Sequence, residues 1–193
     1  MIDVFSVLPE LDTMIKDELP ERRIELDPFA DFIYRQFSND EISKMFHKID
    51  RDQDQILYPK DIVYFLIKKF KLKTVDNMKH KLKKVVQIAL NEINIPDGQL
   101  TEQAFIRFWY YWTSLIYNVA PKRTNTIKQS EIVFFFESRG HGLAQDVIKS
   151  VLKLRQLGNE VNIVQYYTIY PLLIDGMKGR RHRTTGNWNT SFE

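Results

Sequence analysis

Four aspartates lie in one short run of the chain, residues 50–61, and the first three alternate with other residues. Asp50, Asp52 and Asp54 occupy its first, third and fifth places, and Asp61 occupies its twelfth place. Alternate side chains of one tight loop can surround a single point with oxygen atoms, which are the ligands that Ca²⁺ and Mg²⁺ prefer. The run therefore predicts a site for a divalent cation.

Apolar residues on both sides of this run recur at steps of three and four, which is the period of one helix face. The preceding set consists of Ile42, Met45, Phe46 and Ile49, and the following set consists of Ile62, Phe65, Leu66 and Phe70. We therefore expect helices over 41–49 and 61–70, with the acidic run as the loop between them. N-cap signals predict helix starts at Asp27 with Pro28, at Ser38–Glu41 and at Thr101.

A helix, an acidic loop and a second helix resemble an EF-hand, and over residues 40–70 the chain is similar to a degenerate member of the calmodulin-like superfamily. At the seventh place of its loop, the family uses a main-chain carbonyl as a ligand. The resemblance implies the following metal ligands in this chain: Asp50, Asp52, Asp54, Ile56 and Asp61.

Two places depart from the family pattern. Gln55 stands at the sixth place, where the family has a glycine with positive φ, and a side chain in that conformation costs roughly 1 kcal/mol. Asp61 stands where the family has a bidentate glutamate, and its shorter side chain favours the six-coordinate geometry of Mg²⁺ over seven-coordinate Ca²⁺. We expect weak binding of Ca²⁺ or Mg²⁺ at most, and an empty loop of solvated acids is the alternative.

Residues 97–100 resemble the second half of another such loop, with Gly98 at the sixth place and Leu100 at the eighth. Its first, third and twelfth places hold Ile93, Ile95 and Ala104, none of which has a side-chain oxygen. We therefore expect no metal at this loop. Paired EF-hand loops share a short strand around the eighth place, so Leu57 and Leu100 are predicted to face each other.

The second half of the chain repeats the helix–loop–helix rhythm. Ile127 with Glu131, and Val161 with Gln165, fall at the eighth and twelfth places of two further loops. Their earlier ligand places hold no acid: Ala120, Lys122 and Thr124 in one loop, and Leu154, Gln156 and Gly158 in the other. The predicted fold class is all-α, with tandem EF-hand-like helix–loop–helix pairs in two lobes and a short β-ribbon between paired loops.

Changes in composition predict five segments along the chain. They are an acidic N-terminal arm (1–26), a lobe that contains the acidic loop (27–117), a linker (118–128), a degenerate second lobe (129–175) and a basic extended tail (176–193).

Partner-binding residues are predicted in two of these segments. The helix over 101–117 carries rings on nearly every side, so Trp109 and Trp112 are expected to contact either another protein or a seam between the two lobes. The tail has no apolar period and would order only against a partner. Its predicted contact residues are Arg180, Arg181, Arg183 and Trp188.

Charge is distributed unevenly along the chain. Residues 1–31 contain nine acids and three bases, whereas residues 60–84 contain nine lysines and two acids. This asymmetry favours docking to an acidic partner surface or, as the alternative, attraction between the acidic arm and a basic lobe of the same chain. Nucleic acid is a less favoured partner, because the aromatic residues are not interleaved with the lysines as base-stacking platforms would be.

Composition also limits the classes of site and location. The chain has no cysteine and only four histidines, which are far apart, so disulfides and Cys- or His-rich metal centres are excluded. The longest apolar run is too short to span a membrane. The acidic first residues argue against a presequence, so we expect a cytoplasmic protein.

Catalysis is not expected. The sequence shows no nucleophile paired with a base and no glycine-rich phosphate loop. We therefore predict a non-catalytic EF-hand-like structural or adaptor protein that docks into a larger protein assembly. The resemblance implies the cytoskeleton or the cilium as sites for such scaffold proteins. The alternative is a calcium sensor or regulatory subunit that exposes a partner-binding groove when Ca²⁺ binds at residues 50–61.

Overall fold

Eight helices and one two-stranded sheet form the part of the chain that the computed structural model describes, residues 25–72, 77–95 and 97–184. In chain order they are α1 (Pro28–Tyr34), α2 (Asn39–Ile49), α3 (Pro59–Phe70), α4 (Met78–Glu92), α5 (Glu102–Tyr117), β1 (Thr126–Lys128), α6 (Gln129–Glu137), α7 (Ala144–Leu154), β2 (Glu160–Asn162) and α8 (Ile163–Thr184). The predicted mainly helical class with a short ribbon is confirmed.

Polar side chains fix the helix starts at the predicted residues. Asp27 accepts hydrogen bonds from the main-chain N–H groups of the next residues, and Pro28 is the first residue of α1. Ser38 and Glu41 form a reciprocal capping box at the start of α2. Thr101 caps α5 through its hydroxyl group. Each such cap stabilises a helix by about 1 kcal/mol.

Short antiparallel pairings join the loops in twos. Leu57 and Leu100 form a single bridge in which each N–H donates to the other carbonyl, both at 2.9 Å. Ile127 pairs with Val161 at the centre of the β1–β2 sheet. The predicted contact between Leu57 and Leu100 is confirmed. Strand β1 lies inside the segment that the sequence indicated to be a polar linker.

Buried side chains from both halves of the chain join one hydrophobic cluster. Helix α4 packs along α8, and α1 contacts both α5 and α8. The ring of Trp112 stacks on Tyr167, with centroids 4.3 Å apart and planes inclined by 6°. The Tyr167 hydroxyl donates to the Trp112 carbonyl at 2.9 Å. These contacts hold the second half of the chain firmly against the first.

The two tryptophans predicted to bind a partner lie inside this cluster. Trp109 is 2% exposed and Trp112 is 0% exposed. Their indoles are too large and apolar to remain in water when a neighbouring helix can cover them. We therefore correct the prediction of a partner contact: Trp112 lies at the internal seam, the alternative, whereas Trp109 packs on Phe32, Phe37 and Phe105 inside the first half of the chain.

Helix α8 is longer than the sequence predicted, because it continues through residues 176–184 instead of giving way to an extended tail. Adding residues to an existing helix costs far less than starting one, so a segment without an apolar period can continue it. Arg180, Arg181 and Arg183 lie in this continuation, but the structure does not describe their side chains. The acidic arm up to residue 24 and Trp188 lie outside the described residues.

None of the described helices combines the length and hydropathy needed to cross a lipid bilayer.

Candidate metal centre

The helices on either side fix both ends of the acidic loop. Asp50 follows the last residue of α2, and its N–H donates to the Phe46 carbonyl at 2.9 Å. Asp61 lies in the first turn of α3, where its Oδ2 accepts the N–H of Tyr58 at 2.9 Å. The first and twelfth places of the loop are therefore positioned by secondary structure and do not depend on a ligand.

Three of the predicted ligands come together. One carboxylate oxygen from each of Asp50, Asp52 and Asp54 lies within 4.8 Å of the corresponding oxygen of the other two. Two oxygens that bind one Ca²⁺ at 2.3–2.6 Å are at most about 5 Å apart, so a single cation can contact all three. Three carboxylates this close repel one another, and a bound cation removes that repulsion.

Asp50 is the buried member of the cluster. It is 7% exposed, and its Oδ2 accepts the N–H of Gln55 at 3.0 Å. Its Oδ1 is buried and has no hydrogen-bond partner among the described residues. An unsatisfied buried acceptor costs about 1–3 kcal/mol, and more when it is charged. The residues present therefore fit a cation, which would supply the partner that this oxygen lacks.

The main chain of the loop adopts left-handed conformations. Gln55 has φ 63°, as its place in the loop predicted, and Gln53 has φ 58°, which the sequence did not predict. The Asp54 Oδ1 accepts the N–H of Ile56 at 2.8 Å and closes the intervening turn. Each left-handed glutamine costs roughly 1 kcal/mol. The loop therefore holds its carboxylates together at the expense of backbone strain.

Asp61 stands apart from the three-carboxylate cluster, and the predicted ligand at Ile56 is its main-chain carbonyl. Both line a cavity of about 380 Å³ that Asp50 and Asp52 also line. Asp61 does not belong to the group of mutually close ligand atoms, and one of its oxygens is already bonded to the main chain. The structure thus brings together three of the five predicted ligands and leaves the other two on the wall of the same cavity.

Residues at the twelfth places of the loops share a capping role. Glu131 accepts the N–H of Lys128 at 2.7 Å, and Gln165 accepts the N–H of Asn162 at 2.9 Å, just as Asp61 accepts the N–H of Tyr58. Each acceptor lies three residues after its donor at the start of a helix. Helix capping alone is therefore a sufficient structural reason for a polar residue at these places.

The loop that faces the acidic run has no oxygen-bearing side chain at its first, third and twelfth places. Gly98 has φ +72°, as predicted, and a Cβ atom added there would lie 3.2 Å from the Cδ of Pro59. Ile93 and Ile95 are half-buried among apolar residues, and Ala104 is buried in α5. This loop supports the acidic loop through its backbone and apolar side chains.

Basic side chains surround the acidic cavity, and sequence reasoning did not identify them as part of the site. They are Lys48, Arg51, Lys60 and Lys79, which we call the basic rim. The Arg51 guanidinium lies over the ring of Tyr64, 4.5 Å from its centroid. A hydrogen bond from Arg51, assisted by the charge of Lys68, lowers the pKa of Tyr64. The excess of lysine in residues 60–84 was the only signal in the sequence.

No protein-family model, curated protein or solved structure matches the chain.

Proposed function

We propose that this protein is a non-catalytic, EF-hand-like adaptor that binds one divalent cation weakly at residues 50–61 and docks into a larger protein assembly. The observation that carries the proposal is the Asp50 carboxylate, which lies beside two further carboxylates and whose buried Oδ1 has no hydrogen-bond partner in the described part of the chain. We propose a cytoplasmic location, and the resemblance implies the cytoskeleton or the cilium.

The loop pairings support the EF-hand-like interpretation. Leu57 and Leu100 bridge through their main chains, and Ile127 and Val161 do the same in the second half. All four residues occupy the eighth place when the loops are aligned by sequence. Pairing of the loops at their eighth places thus explains both contacts. Three of the four loops lack the set of aspartates found in residues 50–61.

Weak affinity follows from the ligand set. Three carboxylates from one short segment are fewer ligands than the six to eight oxygens that Ca²⁺ takes, or the six of Mg²⁺. One oxygen of Asp61 already accepts the Tyr58 N–H. The positive charges of the basic rim repel any cation that enters the cavity. Water and other oxygens must complete the coordination shell.

A structural role is favoured over a calcium switch by the packing between the halves. A switch would require α2 and α3 to change their angle, but α3 packs on α4, which in turn packs along α8. The stacked rings of Trp112 and Tyr167 lie in the same continuous core. The proposed role of the cation is therefore to stabilise the acidic loop in one conformation.

Titration calorimetry and an apolar dye test the cation part of the proposal. Purified protein is titrated with Ca²⁺ and with Mg²⁺, and we expect dissociation constants of about 1 mM without a rise in dye fluorescence. Asp52→Asn should weaken both, whereas Asp175→Asn, on α8, should change neither. Micromolar Ca²⁺ binding with increased dye fluorescence would establish the sensor instead, and no binding at all would overturn the cation site.

The docking part is tested separately in cells. Full-length protein in a native extract is expected to sediment well above the 23.0 kDa of a single chain. Dissociation of that complex by high salt should shift the protein to its monomer position. Sedimentation as a monomer before any treatment would contradict the adaptor role while leaving cation binding untouched.

A further inference from the structure

The basic rim brings together cations from several elements around one acidic cavity. Lys48 lies in the last turn of α2, Arg51 in the loop, Lys60 in the first turn of α3 and Lys79 in the first turn of α4. All four side chains are exposed. Within the residues that the structure describes, none of the four forms an ion pair with a carboxylate.

This arrangement of positive charges is unfavourable for a site that binds only a metal ion. Each rim cation repels a divalent cation held by Asp50 and Asp52, whereas the same charges attract an anion. An anion that reaches the cavity can contact the rim and the metal together. The metal also has room for such a ligand, because the loop gathers only three carboxylates.

We propose that the cation at the acidic loop is shared with an acidic segment of a protein partner, one of whose carboxylates completes the metal coordination while others pair with the basic rim. This inference rests on the proposed cation binding. The partner then binds more tightly when the cation is present, and the partner in turn raises the affinity for the cation, because the two binding events are thermodynamically linked.

The cavity walls favour a peptide over a small inorganic anion. Tyr64 is 48% exposed at the cavity, and Ile49 and Phe65 line its apolar side. Such walls can pack against the carbon atoms of a peptide, which a phosphate ion does not possess. A volume of about 380 Å³ accommodates one or two side chains. Charge and apolar contact together fit a run of glutamates or aspartates.

The experiment measures binding of a fluorescein-labelled hexaglutamate peptide to the full-length protein by fluorescence anisotropy, in millimolar Mg²⁺ and in EDTA. We expect about tenfold tighter binding in Mg²⁺, the effect of one additional charge-assisted contact. In the rim variant K48Q/K60Q/K79Q, that affinity should fall by about tenfold or more. The matched control is K122Q/K149Q/K153Q, which neutralises three exposed lysines outside the cavity and should bind like the parent protein.

Calorimetry with Mg²⁺ alone, on the same preparations, separates failure of this inference from failure of the cation site. If Mg²⁺ binds but the peptide binds equally in EDTA, or if both triple variants lose affinity equally, the shared cation is disproved and the cation site stands. If Mg²⁺ does not bind, the proposed cation site and this inference are both overturned. Displacement of the peptide by an equal concentration of inorganic phosphate would overturn the assignment to an acidic protein segment.

Discussion

Asp50 accepts the main-chain N–H of Gln55 through one carboxylate oxygen, at 3.0 Å, and keeps its other oxygen buried without a hydrogen-bond partner among the described residues. The first oxygen closes the loop through this hydrogen bond, and the second is free to bind a cation. Asn can reproduce the first interaction but not the charge of the second. The structural and metal-binding roles of this residue are therefore separable by mutation.

Asp50→Asn is expected to abolish stabilisation by Mg²⁺ without unfolding the protein. With a dissociation constant near 1 mM and Mg²⁺ at about ten times that concentration, binding stabilises the parent protein by about 1.4 kcal/mol. The corresponding rise in melting temperature is roughly 3–6 °C, and the variant should show none. In EDTA its melting temperature should equal or exceed that of the parent, since repulsion with Asp52 is relieved.

Thermal denaturation followed by circular dichroism, with and without Mg²⁺, makes this measurement. Asp175→Asn is the control and should keep the full rise. An Asp50→Asn variant that Mg²⁺ still stabilises like the parent would show that the ion acts elsewhere on the chain.

Gln55→Gly is expected to stabilise the protein by about 1 kcal/mol. Gln55 has φ 63°, a conformation that glycine adopts without the steric cost of a Cβ atom. Urea denaturation gives the free energy of unfolding of each variant. Lys149→Gly, in the exposed middle of α7, should change it by about the same amount in the opposite direction, because glycine weakens a helix interior. Equal destabilisation by both substitutions would contradict the strain assigned to the loop.

Local rules made the acidic loop and the helix starts predictable from the sequence. The spacing of aspartates located the loop, and Ser38 with Glu41 located the start of α2 without any knowledge of the rest of the chain. Aligning two loops at their sixth and eighth places was enough to pair Leu57 with Leu100. Each inference needed only residues that are close in sequence, or one rule that links two loops.

Features that depend on distant residues were not predictable in this way. The basic rim combines Lys79 with side chains from before and after the acidic loop, and only the packing of α4 on α3 brings them together. The sequence allowed Trp112 to contact either a partner or the second lobe, and only the fold places the ring of Tyr167 over it. The close approach of α8 to α7 joins Gly176 and Val147, which are distant in sequence, so no local pattern reveals it.

Gly176→Ala is expected to destabilise the protein by about 1–3 kcal/mol. An ideal Cβ atom at this position would lie 2.6 Å from the Cγ1 of Val147, closer than carbon atoms approach each other. Valine is stiff about its first side-chain torsion, so the helices must separate. Alanine gains about 1 kcal/mol over glycine in a helix, but the overlap outweighs this gain.

Urea denaturation of Gly176→Ala, Val147→Ala, the double variant and a control tests this contact, because the coupling between the two changes is calculated from both single variants. Gly176→Ala combined with Val147→Ala should recover part of the lost stability, because the second change removes the overlapping methyl group. Gly158→Ala is the control: no atom lies within 4 Å of its added Cβ, so it should be neutral or slightly stabilising. A destabilised double variant that shows no coupling between the two changes would argue against close packing of α7 on α8.

Tyr34→Phe is expected to reduce the loss of stability at high pH. Burial raises the pKa of Tyr34 to about 12 from an ordinary value of 10.0. Its hydroxyl donates to the Ala120 carbonyl at 2.9 Å, which requires the protonated form. Because the folded-state pKa is the higher one, this contribution to stability is complete below pH 10 and disappears as the pH rises towards about 12.

The free energy of unfolding, measured by urea denaturation across this pH range, should therefore fall less steeply in Tyr34→Phe than in the parent protein. Below pH 10 the variant should be less stable by about 1 kcal/mol, since one buried hydrogen bond is lost and the Ala120 carbonyl is left without that donor. Tyr110→Phe, which alters a half-exposed ring, is the control and should retain the parent slope. Parallel slopes for Tyr34→Phe and the parent would mean that the alkaline transition is governed by other buried tyrosines, such as Tyr166 and Tyr167, whose pKa values are also raised by burial.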